Sequence, residues 1–197
     1  MPVIRGQLVG VTGKKRAGKD TFAEVLLIHR GYTRVAFADP LRDSILETNP
    51  LLPAGTFLPG EFAPYRHIRL AEYVAKLGWH LAKDNPEVRR LLQAHGVSMR
   101  NNVYDGVWVE AGLRKAAPIL EKGGGVVITD VRFPNEAEAV KANGGVLVRI
   151  NREGVDTTDR HISEVALDDW PMDVEILNNG TVTDLHEAAF RVVDSLG

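Results

Sequence analysis

The sequence predicts an α/β fold of three layers, in which helices cover both faces of a parallel central sheet. Short apolar runs alternate along the chain with amphipathic segments of helical period, as expected for alternating strands and helices. The apolar runs are continuous, which is typical of strands covered on both faces. A chain of 197 residues, 44% of them hydrophobic, is long enough for one domain of this kind.

The first quarter of the chain is predicted to run strand, helix, strand, helix. Residues 7–12 (QLVGVT) form the first strand, and the helix after the following glycine-rich turn ends at Gly31. Residues 33–38 (TRVAFA) form the second strand. Asp39 and Pro40 then begin a helix, because aspartate caps free N–H groups and proline suits the first helical turn.

A helical insertion is predicted in the middle of the chain. It follows residues 49–64, whose prolines and glycines disfavour regular structure. The helical pattern is interrupted at residues 84–86 and again around residues 96–102. An insertion of this size suits a second substrate.

The strand and helix pattern resumes after the insertion. Residues 123–130 and 146–151 are predicted strands, and residues 173–181 form a short strand with a turn. A helix opens at Pro134, and residues 182–196 form an amphipathic last helix.

Residues 1–197 are therefore predicted to form one domain in three parts. Its core takes residues 1–48 and 123–197, the helical insertion takes residues 64–122, and a polar lid takes residues 152–164.

The composition excludes several classes of protein. The 24 basic and 26 acidic residues leave a formal charge of −2, so no surface for a nucleic-acid polymer or a membrane is expected. The absence of cysteine excludes disulfides and thiolate metal sites. There is no signal-peptide pattern and no apolar run near the roughly 20 residues of a membrane span. We therefore expect a cytoplasmic protein.

The stretch GKKRAGKDT, residues 13–21, lies between the first strand and the first helix. Its glycines let backbone N–H groups curl around phosphate oxygens, the helix presents its positive end, and Lys19 can reach the phosphates. This context favours a nucleotide-phosphate site over a merely structural turn. The predicted residues of the site are Gly13, Lys14, Ala17, Gly18, Lys19, Asp20 and Thr21.

Two carboxylates are candidate metal ligands. Asp20 stands where such loops usually have a hydroxyl, and it is either a negative group at a helix start or, as we favour, an anchor for Mg²⁺ waters. Asp130 ends a strand at the edge where parallel sheets bind ligands, and it can hold Mg²⁺ or merely cap a turn. Arg132 either faces the phosphates or pairs with Glu136 or Glu138.

A second anion site is predicted around the insertion. Asp39 is explained as a helix cap, yet it can also orient an acceptor, and Arg42 one turn later can bind an acceptor anion. The insertion is rich in arginine, which grips phosphate bidentately. Gln93, with Trp108 or Tyr104, could recognise or stack on a base.

Several longer motifs carry a resemblance to a known family. They are GKKRAGKDT, FADPLRD, LLQAHG with the following Arg100, ITDVRFPNEAEAVKANGG, HISEVALDDWP and ILNNGTVTDL. Together they resemble the deoxynucleoside monophosphate kinases of tailed bacteriophages, from about Gln7 to Leu185. The resemblance implies the P-loop nucleoside monophosphate kinase fold. It also implies transfer of the γ-phosphoryl group of ATP to a deoxynucleoside monophosphate (dNMP), with Mg²⁺ as cofactor.

The resemblance also implies roles for individual residues. The loop residues and Asp20 would bind the ATP phosphates and metal, and the turn of Asn178, Asn179 and Gly180 would lie near the adenine. Arg160 in the polar lid is a candidate to stabilise charge on the transferred group, as is Arg152. The acceptor candidates are Asp39, Arg42, Arg66, Arg69, Gln93, Arg100 and Trp108. The catalytic candidates are Lys19, Asp39, Arg132 and Arg160.

Two other functions stay open at this point. A kinase of another small acceptor, above all dephospho-coenzyme A, shares the loop and the NNGT-like turn, and a nucleotide-binding module without turnover needs only the loop. The expected partners are ATP and dNMPs, in the host cytoplasm if the protein is phage-encoded, and a homodimer is left open.

Overall fold

The computed structural model of the protein describes residues 6–53, 56, 67–155 and 165–196. The chain divides into two compact units. The first consists of Met1–Phe37 and Val109–Gly197, and the second of Ala38–Trp108. The predicted division into core, insertion and lid stays a prediction.

The first unit is built on a sheet of five parallel strands. The strands are β1 Leu8–Thr12, β2 Thr33–Val35, β3 Val126–Ile128, β4 Val146–Asn151 and β5 Val174–Leu177. Their order is β2-β3-β1-β4-β5, and each neighbouring pair is parallel. Every residue of β1 and β3 is buried, which explains why these strands are continuous apolar runs. The predicted parallel sheet is confirmed.

Four of the described helices follow one another between β2 and β3, and the others lie after β1, after β3 and after β5. In chain order the described helices are α1 Lys19–Arg30, α2 Ala38–Thr48, α3 Leu70–Ala82, α4 Pro86–Asn102, α5 Val107–Glu121, α6 Pro134–Ala142 and α7 Val182–Ser195. No helix in the described part of the chain is long and apolar enough to cross a membrane.

Two hydrophobic clusters lie on opposite faces of the sheet. One joins α1 and α7 through buried residues such as Phe22, Leu26 and Val193. The other joins α5 and α6 through residues such as Leu120 and Val140. The first unit therefore has the predicted three layers, helix, sheet and helix.

The register of the sheet aligns the carboxyl ends of the central strands. Thr12 at the end of β1 pairs with Arg149 of β4, and Gly10 pairs with Ile128 at the end of β3. Because the strands are parallel, the segments that follow β1, β3 and β4 leave the sheet at one edge.

The second unit contains α2, α3 and α4 around its own core, which includes Ile45, Leu70 and Val88. Helix α4 begins at Pro86, after the predicted interruption, and the side chain of Asn85 caps it by accepting a hydrogen bond from the backbone N–H of Glu87 at 2.9 Å. Within α3, Gly78 has a non-helical conformation that kinks the helix.

The predicted interruption at residues 96–102 is wrong, because α4 continues to Asn102. Gly96 is buried inside the helix, and a Cβ atom there would lie 2.6 Å from Cδ1 of Leu41 on α2. This glycine allows two helices to approach each other and does not end one.

Two further boundaries differ from the prediction. Strand β2 ends at Val35, three residues early, where its pairing with β3 ends at Ile128. Helix α2 begins at Ala38, so Asp39 lies in its first turn. Of the predicted irregular segment 49–64, residues 54–55 and 57–64 lie outside the described residues.

Candidate functional site

The loop between β1 and α1 depends on glycine at both ends. Gly13 has a φ of 140° and Gly18 a φ of 105°, a region that side-chain-bearing residues rarely adopt. A Cβ atom on Gly13 would lie 2.3 Å from the carbonyl oxygen of Ile150 on β4. Inside the loop, the N–H of Ala17 donates to the carbonyl of Lys14 at 3.2 Å. The loop is therefore tight and packed against the sheet.

Lys19 is the first residue of α1, and its side chain returns across the loop. Its Nζ donates to the carbonyl oxygens of Gly13 at 2.5 Å and Lys14 at 2.7 Å. The preceding cap residue, Gly18, has no side chain to satisfy the first N–H groups of the helix. A cation and a helix N-terminus without a side-chain cap thus meet at the loop, which suits a bound anion.

A cavity of about 160 Å³ opens beside the loop at the carboxyl edge of the sheet. It contains four cationic and two acidic side chains, so its charge favours an anionic ligand. The lining residues are Thr12, Gly13, Lys14, Lys19, Asp130, Val131, Arg132, Arg149, Asn151, Leu167 and Asp168. The structure thus brings together Gly13, Lys14, Lys19, Asp130 and Arg132, which sequence reasoning had assigned to the site.

The other predicted loop residues lie close by in the chain and are not part of this lining. Ala17 is buried with 1% exposure, Asp20 is exposed in the first turn of α1, and Thr21 is half-buried. The proposed metal role of Asp20 stays a prediction.

Asp130 faces both the cavity and the sheet. Its Oδ1 accepts a hydrogen bond from the backbone N–H of Phe37 at 2.8 Å, which ties the end of β3 to the end of β2. Mg²⁺ in nucleotide sites uses one or two carboxylates together with phosphate oxygens. Asp130, one of the two carboxylates in the cavity lining, fits that requirement. No cluster of three or more acidic or histidine side chains in the described ranges offers another metal site.

Glu136 is a buried carboxyl group that sequence reasoning did not assign to the site. Its Oε2 accepts hydrogen bonds from the backbone N–H groups of Arg132 at 2.6 Å and Phe133 at 3.1 Å. Burial raises the pKa of Glu136 to about 7, and the nearby charge of Asp130 adds to the rise. The hydrogen bonds from the two N–H groups and the positive charge of Arg132 lower this pKa, but together they lower it by less than burial and Asp130 raise it. The backbone of Arg132 thus bonds Glu136 while the residue lines the cavity, and the choice between the two partners of its side chain stays a prediction.

Two more residues were missed, Arg149 and Asp168. Arg149 is half-buried, and its guanidinium donates to Glu175 Oε1 at 2.9 Å, to the Trp170 carbonyl at 3.0 Å and to the Leu167 carbonyl. Asp168 forms an ion pair with Lys14 at 2.6 Å. Arg149 had a signal in the sequence, a single charge within an apolar strand, whereas Asp168 lies in the motif HISEVALDDWP without a pattern that assigns it to this site.

The turn after β5 contacts the phosphate loop. Asn178 is 7% exposed, and its Nδ2 donates to the carbonyl of Ala17 at 2.8 Å. Asn179 is exposed, and its Oδ1 accepts from the backbone N–H of Glu153 at 2.9 Å. Gly180 is exposed and lies against Asp184.

Some of the predicted acceptor residues meet in the second unit. Arg42 Nη1 forms an ion pair with Asp39 Oδ1 at 2.9 Å. The Nε atom of Arg42 is buried and has no hydrogen-bond partner within the described residues. A buried guanidinium N–H without a partner is costly.

The indole of Trp108 is engaged within the same unit. Its Nε1 donates to the carbonyl of Gly96 at 3.2 Å, and its ring lies 5.8 Å from that of His95. His95 in turn bonds the hydroxyl of Ser44 at 3.0 Å.

The remaining acceptor candidates are more scattered. Arg69 is exposed and donates to the carbonyl of Asn49 at 2.8 Å. Gln93 is exposed and Arg100 is half-buried. Arg66 and Arg160 lie outside the described residues, as does most of the predicted lid.

Comparison with known proteins finds a family model and two relatives that carry the same description, deoxynucleotide monophosphate kinase. The deoxynucleotide monophosphate kinase family model matches residues 66–189. A putative deoxynucleotide monophosphate kinase of Acanthamoeba polyphaga mimivirus is 29% identical over 95% of this chain and 96% of its own. The deoxynucleotide monophosphate kinase of Escherichia phage RB69 is 30% identical over 56% of this chain and 46% of its own. Among solved structures, a dephospho-CoA kinase from Campylobacter jejuni aligns over 96% of each chain, with 16% identity and a TM-score of 0.47.

Proposed function

The chain belongs to the deoxynucleotide monophosphate kinase family, and on that premise we propose that it transfers the γ-phosphoryl group of ATP to a dNMP. The products are ADP and a deoxynucleoside diphosphate. The family makes the protein a kinase that acts on nucleotides, and the choice of ATP as donor and of a dNMP as acceptor is our proposal.

The cationic cavity beside the phosphate loop is the observation that carries this proposal. Phosphoryl transfer needs positioning and charge neutralisation more than covalent chemistry. Lys14, Lys19 and Arg132 supply positive charge at the loop, and Lys19 already lies within the curve of its backbone. In the proposed complex, Lys19 exchanges its bonds to loop carbonyls for bonds to phosphate oxygens.

Arg42 and Asp39 support an acceptor site in the second unit. The buried Nε of Arg42 would gain its missing partner from a phosphate oxygen, while Asp39 holds the guanidinium in orientation. The attacking group is a phosphate oxygen that is ionised at neutral pH, so Asp39 acts as an orienting group and no strong base is required. Arg66, Arg69, Gln93, Arg100 and Trp108 complete the proposed acceptor residues.

The proposed contacts to Mg²⁺ and to the adenine involve the phosphate loop, the end of β3 and the turn at residues 178–180. When bound, Mg²⁺ would neutralise phosphate charge, with Asp130 as its protein ligand and Asp20 as an anchor for its waters. The turn at residues 178–180 is proposed to lie near the adenine. Arg132 and Arg160 are proposed to stabilise charge on the transferred group.

The test is ADP release from ATP and Mg²⁺ with each candidate acceptor in turn. The acceptors are dGMP, dTMP, dCMP, dAMP, their ribose counterparts and dephospho-coenzyme A. We expect turnover with at least one dNMP. Turnover with dephospho-coenzyme A and with no deoxynucleotide would overturn the proposal, and so would nucleotide binding without any transfer.

Substitution of Lys19 tests whether the loop takes part. Lys19→Ala should lower transfer by about a hundredfold or more, because it removes a cation from the transferred phosphate. Lys122→Ala is the matched control, since Lys122 is exposed after α5 and lies outside the cavity lining. Equal activity of the two variants would remove the loop from the mechanism.

A further inference from the structure

The side chain of Asn178 is directed at the phosphate loop. It is 7% exposed and its Nδ2 donates to the carbonyl oxygen of Ala17 at 2.8 Å, across 161 residues of sequence. Its own backbone N–H donates to the carbonyl of Asn151 at the end of β4, at 2.7 Å. Asn178 is thus fixed by the sheet at one end and holds the loop at the other.

Gly18 leaves the space that this contact requires. A Cβ atom on Gly18 would lie 2.5 Å from Nδ2 of Asn178 and 3.0 Å from Cδ2 of Leu185. The second glycine of the loop therefore serves two purposes, since it adopts a φ of 105° and it admits the Asn178 amide.

The neighbouring residues hold the turn in place. Asn179 Oδ1 accepts from Glu153 N–H at 2.9 Å. Thr181 caps α7, where its Oγ1 accepts from the N–H of Asp184 at 3.2 Å and its own N–H donates to Asp184 Oδ2 at 2.7 Å. The bonds that fix this turn are therefore made within the protein.

A trans peptide directs its C=O and its N–H to opposite sides. The Ala17 carbonyl and the Gly18 N–H belong to one peptide, so a bond that holds the carbonyl also sets the direction of the N–H. Backbone N–H groups of such loops are the groups that bind phosphate oxygens. Loss of the Asn178 bond would free this peptide to rotate.

We infer that Asn178 is a positioning residue that orients the Ala17–Gly18 peptide for phosphate binding, and that it does not read the base. The inference rests on the proposed function, because it assumes that the loop binds a triphosphate. It assigns to Asn178 a role that its predicted place near the adenine did not include.

The test compares three ligands on one variant. Asn178→Asp keeps the shape of the side chain but replaces the donating NH₂ with an oxygen beside the Ala17 carbonyl. Dissociation constants are measured by calorimetry, with Mg²⁺ present, for ATP, inorganic tripolyphosphate and adenosine. We expect ATP and tripolyphosphate to bind more weakly by the same factor, about tenfold or more, with adenosine unchanged.

Base recognition predicts a different result, in which ATP and adenosine weaken and tripolyphosphate does not. That result, or a tripolyphosphate affinity within about twofold of the unsubstituted protein, overturns the inference while leaving the proposed function intact. If the unsubstituted protein binds neither ATP nor tripolyphosphate, the proposed function fails and the inference fails with it.

A matched control separates positioning from simple loss of stability. Thr181→Ala removes the cap of α7 in the same turn and leaves the bond to Ala17 in place, so it should lower the thermal midpoint without weakening tripolyphosphate binding. All affinities are measured well below the lowest midpoint. Asn178→Ser, which removes the amide without adding a charge, is measured beside Asn178→Asp and should give the same equal loss for the two phosphate ligands. A loss with Asn178→Asp alone would be the repulsion of its charge and would overturn the inference.

Discussion

The carboxylate of Asp130 accepts a hydrogen bond from the backbone N–H of Phe37 at 2.8 Å. The bond joins the ends of β3 and β2, and the same side chain lines the cavity beside the phosphate loop. Asp130 therefore has a structural bond and a candidate role in ligand binding, and the two can be separated by substitution.

Asp130→Asn should separate them. The amide oxygen can still accept from Phe37, so the thermal midpoint should stay close to that of the unsubstituted protein, while loss of the charge lowers kcat by about a hundredfold. Asp130→Ala should lose both activity and about 1–3 kcal/mol of stability, because the Phe37 N–H is left without its acceptor. The measurements are ADP release over a MgCl₂ titration and thermal unfolding. Full activity of Asp130→Asn at every MgCl₂ concentration would leave Asp130 with the structural bond alone.

Gly13 offers a test of how closely the loop is packed on the sheet. Gly13→Ala would place Cβ 2.3 Å from the Ile150 carbonyl oxygen, a backbone atom that cannot move aside cheaply. Gly144 also has a positive φ, of 72°, but a Cβ there meets nothing within 4 Å. We expect Gly144→Ala to lower the free energy of unfolding by about 1–2 kcal/mol because of its backbone conformation alone. Gly13→Ala should lower it clearly more.

Urea unfolding of the two glycine variants gives both free energies. Comparable losses would mean that the loop moves away from β4 without difficulty. A larger loss for Gly13→Ala, accompanied by weaker ATP binding, would connect the packing of the loop to its proposed role.

The parts of the fold that local patterns encode were predictable. The continuous apolar strands, the glycine-rich turn before Lys19 and the carboxylate at the end of β3 follow from residues close together in sequence, and the structure contains each of them. The partners that complete the site come from distant parts of the chain. Asn178 lies 161 residues from Ala17 and Asp168 lies 154 residues from Lys14. No local pattern specifies such pairs.

Gly96 and Glu136 show why tertiary contacts overrode local reasoning. Gly96 resembles a helix end, but it lies buried inside α4, where a Cβ atom would displace the end of the Leu41 side chain. Glu136, in the polar stretch PNEAE, resembles an exposed first-turn acid, yet it is 9% exposed and caps the backbone at Arg132 and Phe133. In both cases burial, which depends on the assembled fold, decides what the residue does.

Glu136 should make stability depend on pH near neutrality. Its pKa of about 7 in the folded protein lies above the usual 4.5, so the folded state holds the proton more tightly than the unfolded state. The resulting stabilisation is complete below pH 4.5 and is lost as pH rises through 7. From a shift of this size we expect a loss of about 3 kcal/mol over that window.

Glu136→Gln should abolish this loss of stability between pH 4.5 and 8. An amide oxygen can still accept from the N–H groups of Arg132 and Phe133, and it carries no proton to release. The free energy of unfolding is measured by urea from pH 4.5 to 8, with Glu138→Gln as the control because Glu138 is exposed on the same helix. Identical pH profiles for Glu136→Gln and the unsubstituted protein would show that Glu136 is ionised throughout.

Arg42 should matter for the acceptor and not for ATP. Its Nε is buried without a partner in the described structure, whereas its Nη1 is held by Asp39 at 2.9 Å, so the guanidinium is oriented and its Nε–H can bind an anion. Arg42→Lys keeps the charge but loses the planar fork of donors. We expect the KM for the dNMP to rise about tenfold, with the KM for ATP changed by less than about twofold.

Arg90→Lys is the control for Arg42→Lys. Arg90 pairs bidentately with Glu87 at 2.6 and 2.7 Å on an exposed surface of α4, where such a pair contributes little. Its kinetic constants should therefore match those of the unsubstituted protein. If Arg42→Lys raised both KM values equally, its effect would be a general loss of structure, and the buried Nε would need another partner than the acceptor phosphate.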